Sequence, residues 1–86
     1  PQKLSLSNYP NPFETTTTIK LGLPQKSSVL MRVINSKGEE VKTMVDEELA
    51  AGWYLLKFTE KSVPSGTYFC QVKTDVGTEV VKMIVK

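Results

Sequence analysis

The sequence predicts an all-β fold, an immunoglobulin-like antiparallel β-sandwich of about seven strands. Three observations predict it. Apolar residues return at every second position in five separate runs, which is the period of a half-buried strand. Short clusters of Gly, Pro, Asn and Ser stand between the runs and supply the turns. The 86 residues leave room for a single domain, residues 1–86, with one modest core.

Residues 1–8 read as a linker leading into the first strand. The stretch N-Y-P-N-P-F, Asn8 to Phe13, follows. Proline fixes its own φ and biases the preceding residue toward extended geometry. A stiff, extended crossing is therefore expected, sealing one end of the sandwich with Tyr9 and Phe13 aimed at the core. Neither Pro10 nor Pro12 can donate to a ladder, so the crossing also blunts an edge. The Thr run after it suits a half-solvated strand.

In the next run Ile19, Leu21 and Leu23 alternate with Thr18, Lys20 and Gly22. Leu23 to Ser27 ends it. Val29, Met31 and Val33 form the next apolar row, closed by Asn35-Ser36-Lys37-Gly38. Asp46 to Ala51 can make a helical turn and is too short for a stable helix. Ala51-Gly52 opens the row Tyr54, Leu56, Phe58. Pro64-Ser65-Gly66 opens Tyr68, Cys70, Val72. Asp75-Val76-Gly77 is a hairpin loop before Val81, Met83, Val85. The expected core is Ile19, Leu21, Val29, Met31, Val33, Leu56, Phe58, Tyr68, Val72, Met83 and Val85.

Composition removes several functions. The net charge is +2 with both signs interspersed, so no basic block tracks a phosphate backbone and nucleic acid is a poor partner. No apolar run approaches the ~20 residues of a membrane span. One cysteine allows no internal disulfide. The amino end lacks the layout of a secretory signal, and it lacks an initiator Met, as a fragment of a longer chain would.

Little in the sequence supports catalysis, and a non-enzyme is expected. There is no histidine, hence none of the commonest general base or metal ligand. Cys70 falls on the inward face of its strand, where a buried structural thiol is the plain reading. Zinc ligands at suitable spacing are missing. Glu39-Glu40 and Asp46-Glu47-Glu48 lack a calcium-loop pattern and read as solvated turns. The glycines are scattered singly and cradle no phosphate. No cofactor is expected. Trp53, Leu55 and Phe69 fall opposite the core pattern of their strands. Trp53 and Phe69 on a shared outer face would suit a carbohydrate-binding module, the alternative reading, alongside that of a structural appendage.

The order of signals is more specific than any one of them. Asn8-Tyr9-Pro10-Asn11-Pro12-Phe13 precedes a Thr-rich strand ending Ile19-Lys20-Leu21. Leu23-Pro24 and the row Val29, Met31, Val33, Asn35 follow, then Gly38 and Glu40-Val41. Ala51-Gly52-Trp53, Pro64-Ser65-Gly66-Thr67-Tyr68-Phe69 and Lys82-Met83-x-Val85-Lys86 complete the series. From about Leu4 to Lys86 the chain resembles the type A carboxy-terminal sorting domain of the type IX secretion system of Bacteroidetes. It departs from the family where Glu14-Thr15 replace Asn-Pro, at Ile34 and Cys70 where aromatics are common, and at Phe58 where Trp is common. Modules of flagellar hook-capping proteins share the opening motif and the Ser-Gly-x-Tyr corner.

The resemblance implies an address tag rather than a catalyst. Such a tag follows a cargo domain, is recognised in the periplasm by translocon components, and is removed at the outer membrane or cell surface by a sortase. The cargo is then anchored at the surface or released. The residues carried over as candidates for recognition are Pro10, Asn11, Pro12, Phe13, Gly66, Tyr68, Lys82 and Lys86. Gly66 can equally just permit a turn and Tyr68 just fill the core. Lys82 and Lys86 share one face of the last strand, where two cations can meet an acidic patch. Oligomeric state is open, and an unpaired edge can accept a neighbour's strand or one from a translocon component.

Overall fold

A computed structural model describes residues 1–59 and 63–86. Seven strands form two antiparallel sheets. They are β1 (Ser5–Tyr9), β2 (Thr16–Leu23), β3 (Ser27–Asn35), β4 (Glu40–Leu49), β5 (Gly52–Thr59), β6 (Gly66–Thr74) and β7 (Gly77–Val85). The first sheet has the order β1-β2-β5 and the second β4-β3-β6-β7. No helix occurs among the described residues. This is the expected sandwich. It differs from the constant-type immunoglobulin arrangement in one respect, since the fourth strand there belongs to the sheet of the first, second and fifth and pairs the fifth. Here β4 pairs β3 instead.

Alternation drives the assembly. Ile19, Leu21 and Leu23 of β2 lie inward, fully buried, against Val29, Met31 and Val33 of β3, Phe58 of β5 and Met83 of β7. Ten of the eleven expected core residues are buried, and Leu56 is half-buried at the side of the sandwich. Phe13, Leu23 and Cys70 complete the core.

Four expectations need correction. Residues 5–8 are not linker. They belong to β1, which pairs β2 from Ser5↔Gly22 to Tyr9↔Thr18; its short Ser-Leu-Ser pattern carries too few apolar residues to register as a run. Asp46 to Leu49 make no helical turn but continue β4. The pairing of β3 with β4 shifts register at Met31/Arg32 and again at Val33/Ile34. Each shift interrupts the period of two, so β4 shows no clean alternation. Tyr9 is not a core peg. It shares the outer face of the first sheet with Thr18 and is 81% exposed. Finally, Pro10 to Pro12 are bent rather than extended, and both the Tyr9-Pro10 and Asn11-Pro12 peptide bonds are cis, a geometry the tertiary amide of X-Pro tolerates.

The bend has a structural consequence. The chain leaves β1 in one sheet, crosses to β7 in the other, and returns to begin β2. The opening motif therefore closes the side of the sandwich on which β1 and β7 face each other.

Candidate functional site

The site is built on the free edge of β7. In an edge strand alternate residues point both their N–H and C=O away from the sheet and leave them unpaired. These outward residues include Lys82 and Ile84 on β7 and Lys86 just past its end, and the opening motif meets them. The Asn11 side-chain amide donates to the Lys82 carbonyl at 2.8 Å, and its oxygen accepts from the Ile84 N–H at 2.9 Å. One carboxamide thus offers the donor and acceptor that a neighbouring strand residue would present. Phe13 continues the pairing with its backbone. Its N–H donates to the Ile84 carbonyl and its carbonyl accepts from the Lys86 N–H, both at 2.9 Å, in a parallel bridge to Val85. From the Lys82 carbonyl to the Lys86 N–H, every outward backbone group of β7 is occupied.

The motif is also fixed from inside. The Phe13 side chain is buried and packs edge-on against Phe58, ring centroids 6.2 Å apart. Thr17, fully buried in β2, donates to the Pro10 carbonyl at 2.9 Å and accepts from the Asn8 side-chain amide at 3.1 Å. These contacts hold the bend where Asn11 reaches β7.

Gly66 and Tyr68 lie on the other flank of β7, in β6. Gly66 stands opposite Val85, and Tyr68 opposite Met83. Gly66 has φ +149° with open space where a Cβ would sit, so glycine is required there by the backbone alone. Tyr68 is buried, and its hydroxyl donates to the Pro64 carbonyl at 2.7 Å. The same device opens β5, where Tyr54 donates to the Ala50 carbonyl at 2.6 Å behind Gly52. The sequence shows this repeat as A-A-G-W-Y and P-S-G-T-Y.

The eight residues singled out in the sequence therefore gather around the last four residues of one strand. Phe13 and Tyr68 are buried, while Pro10, Asn11, Pro12, Gly66, Lys82 and Lys86 are exposed. The Lys82 and Lys86 side chains project from the outer face of the second sheet with Ile84 between them. Among the described residues neither lysine makes an ion pair. Sequence reasoning missed Ile84, whose N–H and C=O both receive the motif; backbone contacts of this kind leave no side-chain signature.

Elsewhere the structure offers little chemistry. Cys70 is fully buried, and desolvation pushes its thiol from about 9 up to about 12, so it stays protonated and inert at neutral pH. No group of three or more His, Cys, Asp or Glu converges among the described residues. Trp53 and Phe69 do not share a face. Trp53 is on β5 of the first sheet and Phe69 on β6 of the second, so they look out in opposite directions. That removes the two-aromatic platform on which the carbohydrate-binding alternative rested.

The molecule is thus a small β-sandwich whose opening motif is fastened along its last strand. No helix of the described residues is long and apolar enough to cross a membrane. The chain belongs to the family of secretion system C-terminal sorting domains, whose model matches residues 7–86 and so takes in both halves of the latch. These are the sorting domains of the type IX secretion system. The domain is a C-terminal sorting signal for type IX secretion, which implies interaction with that machinery, attachment to a cargo, and export to the cell surface or secretion. No curated protein and no solved structure matches the chain.

Proposed function

We propose that the type IX translocon reads the latched corner of the folded domain, with Lys82 and Lys86 as the contacting cations. Asn11 and Phe13 on the β7 edge are the observation that carries this reading. They join the two ends of the motif series into one surface that exists only once the sandwich has folded. Pro10, Pro12, Gly66 and Tyr68 shape the corner, and the lysines present charge. Four residues of strand set their Cα atoms about 13 Å apart, and the two flexible stems above them can reach an acidic patch on a partner. Both are exposed, so pairing them costs little desolvation.

In this reading the upstream cargo reaches the periplasm by its own export signal. The translocon then engages the corner, and a sortase removes the domain at the cell surface. The domain is ligand and substrate and carries out no chemistry.

The test fuses the domain to the end of an inert reporter with a periplasmic export signal in a Bacteroidetes host. The unmodified domain exports the reporter. Lys82→Ala with Lys86→Ala leaves it in the periplasm with an unchanged melting temperature, because exposed substitutions usually change stability by less than ~0.5 kcal/mol. Normal export by the double variant would overturn the assignment of the lysines. Failure of the unmodified domain, in a host whose own tags work, would overturn its sufficiency as a signal.

A further inference from the structure

The sandwich has four edge strands, and three are protected against pairing. Strand β1 is only five residues long and runs into Pro10 and Pro12. Strand β4 carries two register shifts and the charges Glu40, Lys42, Asp46, Glu47 and Glu48. Strand β7 is latched by Asn11 and Phe13. Short length, proline, bulges and charge are the usual devices that keep an edge from accepting a foreign strand.

Strand β5 has only one of them, the single charge of Lys57. It pairs β2 without a register shift from Leu23↔Gly52 to Thr16↔Thr59 and has no second partner among the described residues. Its eight residues contain no proline and no acid. Leu55 is 71% exposed and Trp53 55%. Tyr54 and Leu56 are half-buried on the inner face. They line a cleft of about 370 Å³ between this edge and β4, together with Met44 and Leu49.

We infer that this edge pairs with the same edge of a second copy, antiparallel and with its two-fold axis at Leu55. The sequence of β5, G-W-Y-L-L-K-F-T, is self-complementary in that register. Leu55 faces Leu55, and Tyr54 faces Leu56 on the inner side. Trp53 faces Lys57, a cation opposite an uncharged residue; the indole itself leans back over Gly22 beneath Lys20 and stays there. No residue meets a like charge across the axis, and opposed apolar pairs are what stabilise an antiparallel ladder. The inward pairs also close the mouths of the two clefts. The first sheet becomes a continuous six-stranded sheet across the dimer. This inference does not rest on the secretion reading, because it uses the opposite side of the sandwich from β7. A contact confined to one strand edge is smaller than a standard interface, so association is weak.

Cysteine trapping tests the register. Residues directly opposite in an antiparallel pair have Cα atoms about 4.5–5.5 Å apart, within the range a disulfide spans. On mild oxidation at about 0.1 mM, Leu55→Cys forms a disulfide-linked dimer. Lys57→Cys, two residues off the axis on each chain, stays largely monomeric, and Cys70 is fully buried and takes no part. Sedimentation of the unmodified chain up to about 1 mM shows reversible dimerisation. Leu55→Lys, which places two cations on the axis, weakens it at least about tenfold. The inference fails if the unmodified chain stays monomeric at 1 mM, or if Leu55→Cys crosslinks no faster than Lys57→Cys. The edge would then be left to a strand from another protein.

Discussion

Replacing Asn11 with Ala removes the carboxamide that spans Lys82 and Ile84. Two neutral hydrogen bonds of 2.8 and 2.9 Å are lost, each worth about 0.5–1.5 kcal/mol net. Asn11 is exposed, so water reaches the freed groups and no cavity forms. The lower half of that range applies, and the loss is about 1–2 kcal/mol. For a domain of this length 1 kcal/mol moves the melting temperature by roughly 4–8 °C, so a fall of about 5–15 °C is expected. Urea unfolding gives the free energy, with a lower midpoint and an unchanged slope because the core is untouched. Amide exchange locates the effect. The Ile84 N–H exchanges faster in the variant, while the Lys86 N–H, held by the Phe13 carbonyl, keeps more of its protection. An unchanged midpoint together with unchanged Ile84 protection would refute the latch.

Two further perturbations probe the packing. At Gly22 an added Cβ would stand 2.5 Å from Ser5 Oγ and 2.6 Å from the Trp53 ring, so Gly22→Ala displaces the indole from beneath Lys20, whose Nζ is 4.6 Å from the ring centroid. Trp53 fluorescence shifts and stability falls by about 1–3 kcal/mol; an unchanged spectrum would count against the packing. Cys70 titrates near 9 when unfolded and near 12 when folded, so above pH 9 the unfolded chain gives up a proton that the folded chain keeps. Stability therefore falls as pH rises from 9 to 12, by about 1.4 kcal/mol per unit; Cys70→Ala lacks that part of the decline, and parallel curves for the two proteins would contradict it.

The readability of the fold varied with the physics of each element. Strands β2, β3, β5, β6 and β7 bury one face against a packed core, so alternation writes them into the sequence. Strand β4 escaped because two shifts against β3 change which residues point inward. Strand β1 escaped because its ladder uses backbone groups that Ser5, Leu6 and Ser7 offer as well as any residues. The opening motif was legible as a stiff element with Phe13 as an anchor, and its bent path was not. Local φ preferences of proline say nothing about an edge that lies about 70 residues away in the chain. Asn11 found that edge through a side chain that imitates backbone. The position of Lys82 and Lys86 on one face followed from the period of two alone.

The central claim is that the machinery meets the domain at the latched end of β7. Site-specific photocrosslinking tests it most directly. A photoreactive residue is placed at Lys82, at Lys86, or at exposed Lys26, which sits just before β3 beside Glu48, and the reporter fusion is expressed in the secreting host. The account predicts adducts to a component of the secretion machinery from positions 82 and 86, and none from position 26. Equal adducts from all three positions, or adducts from position 26 alone, would contradict it.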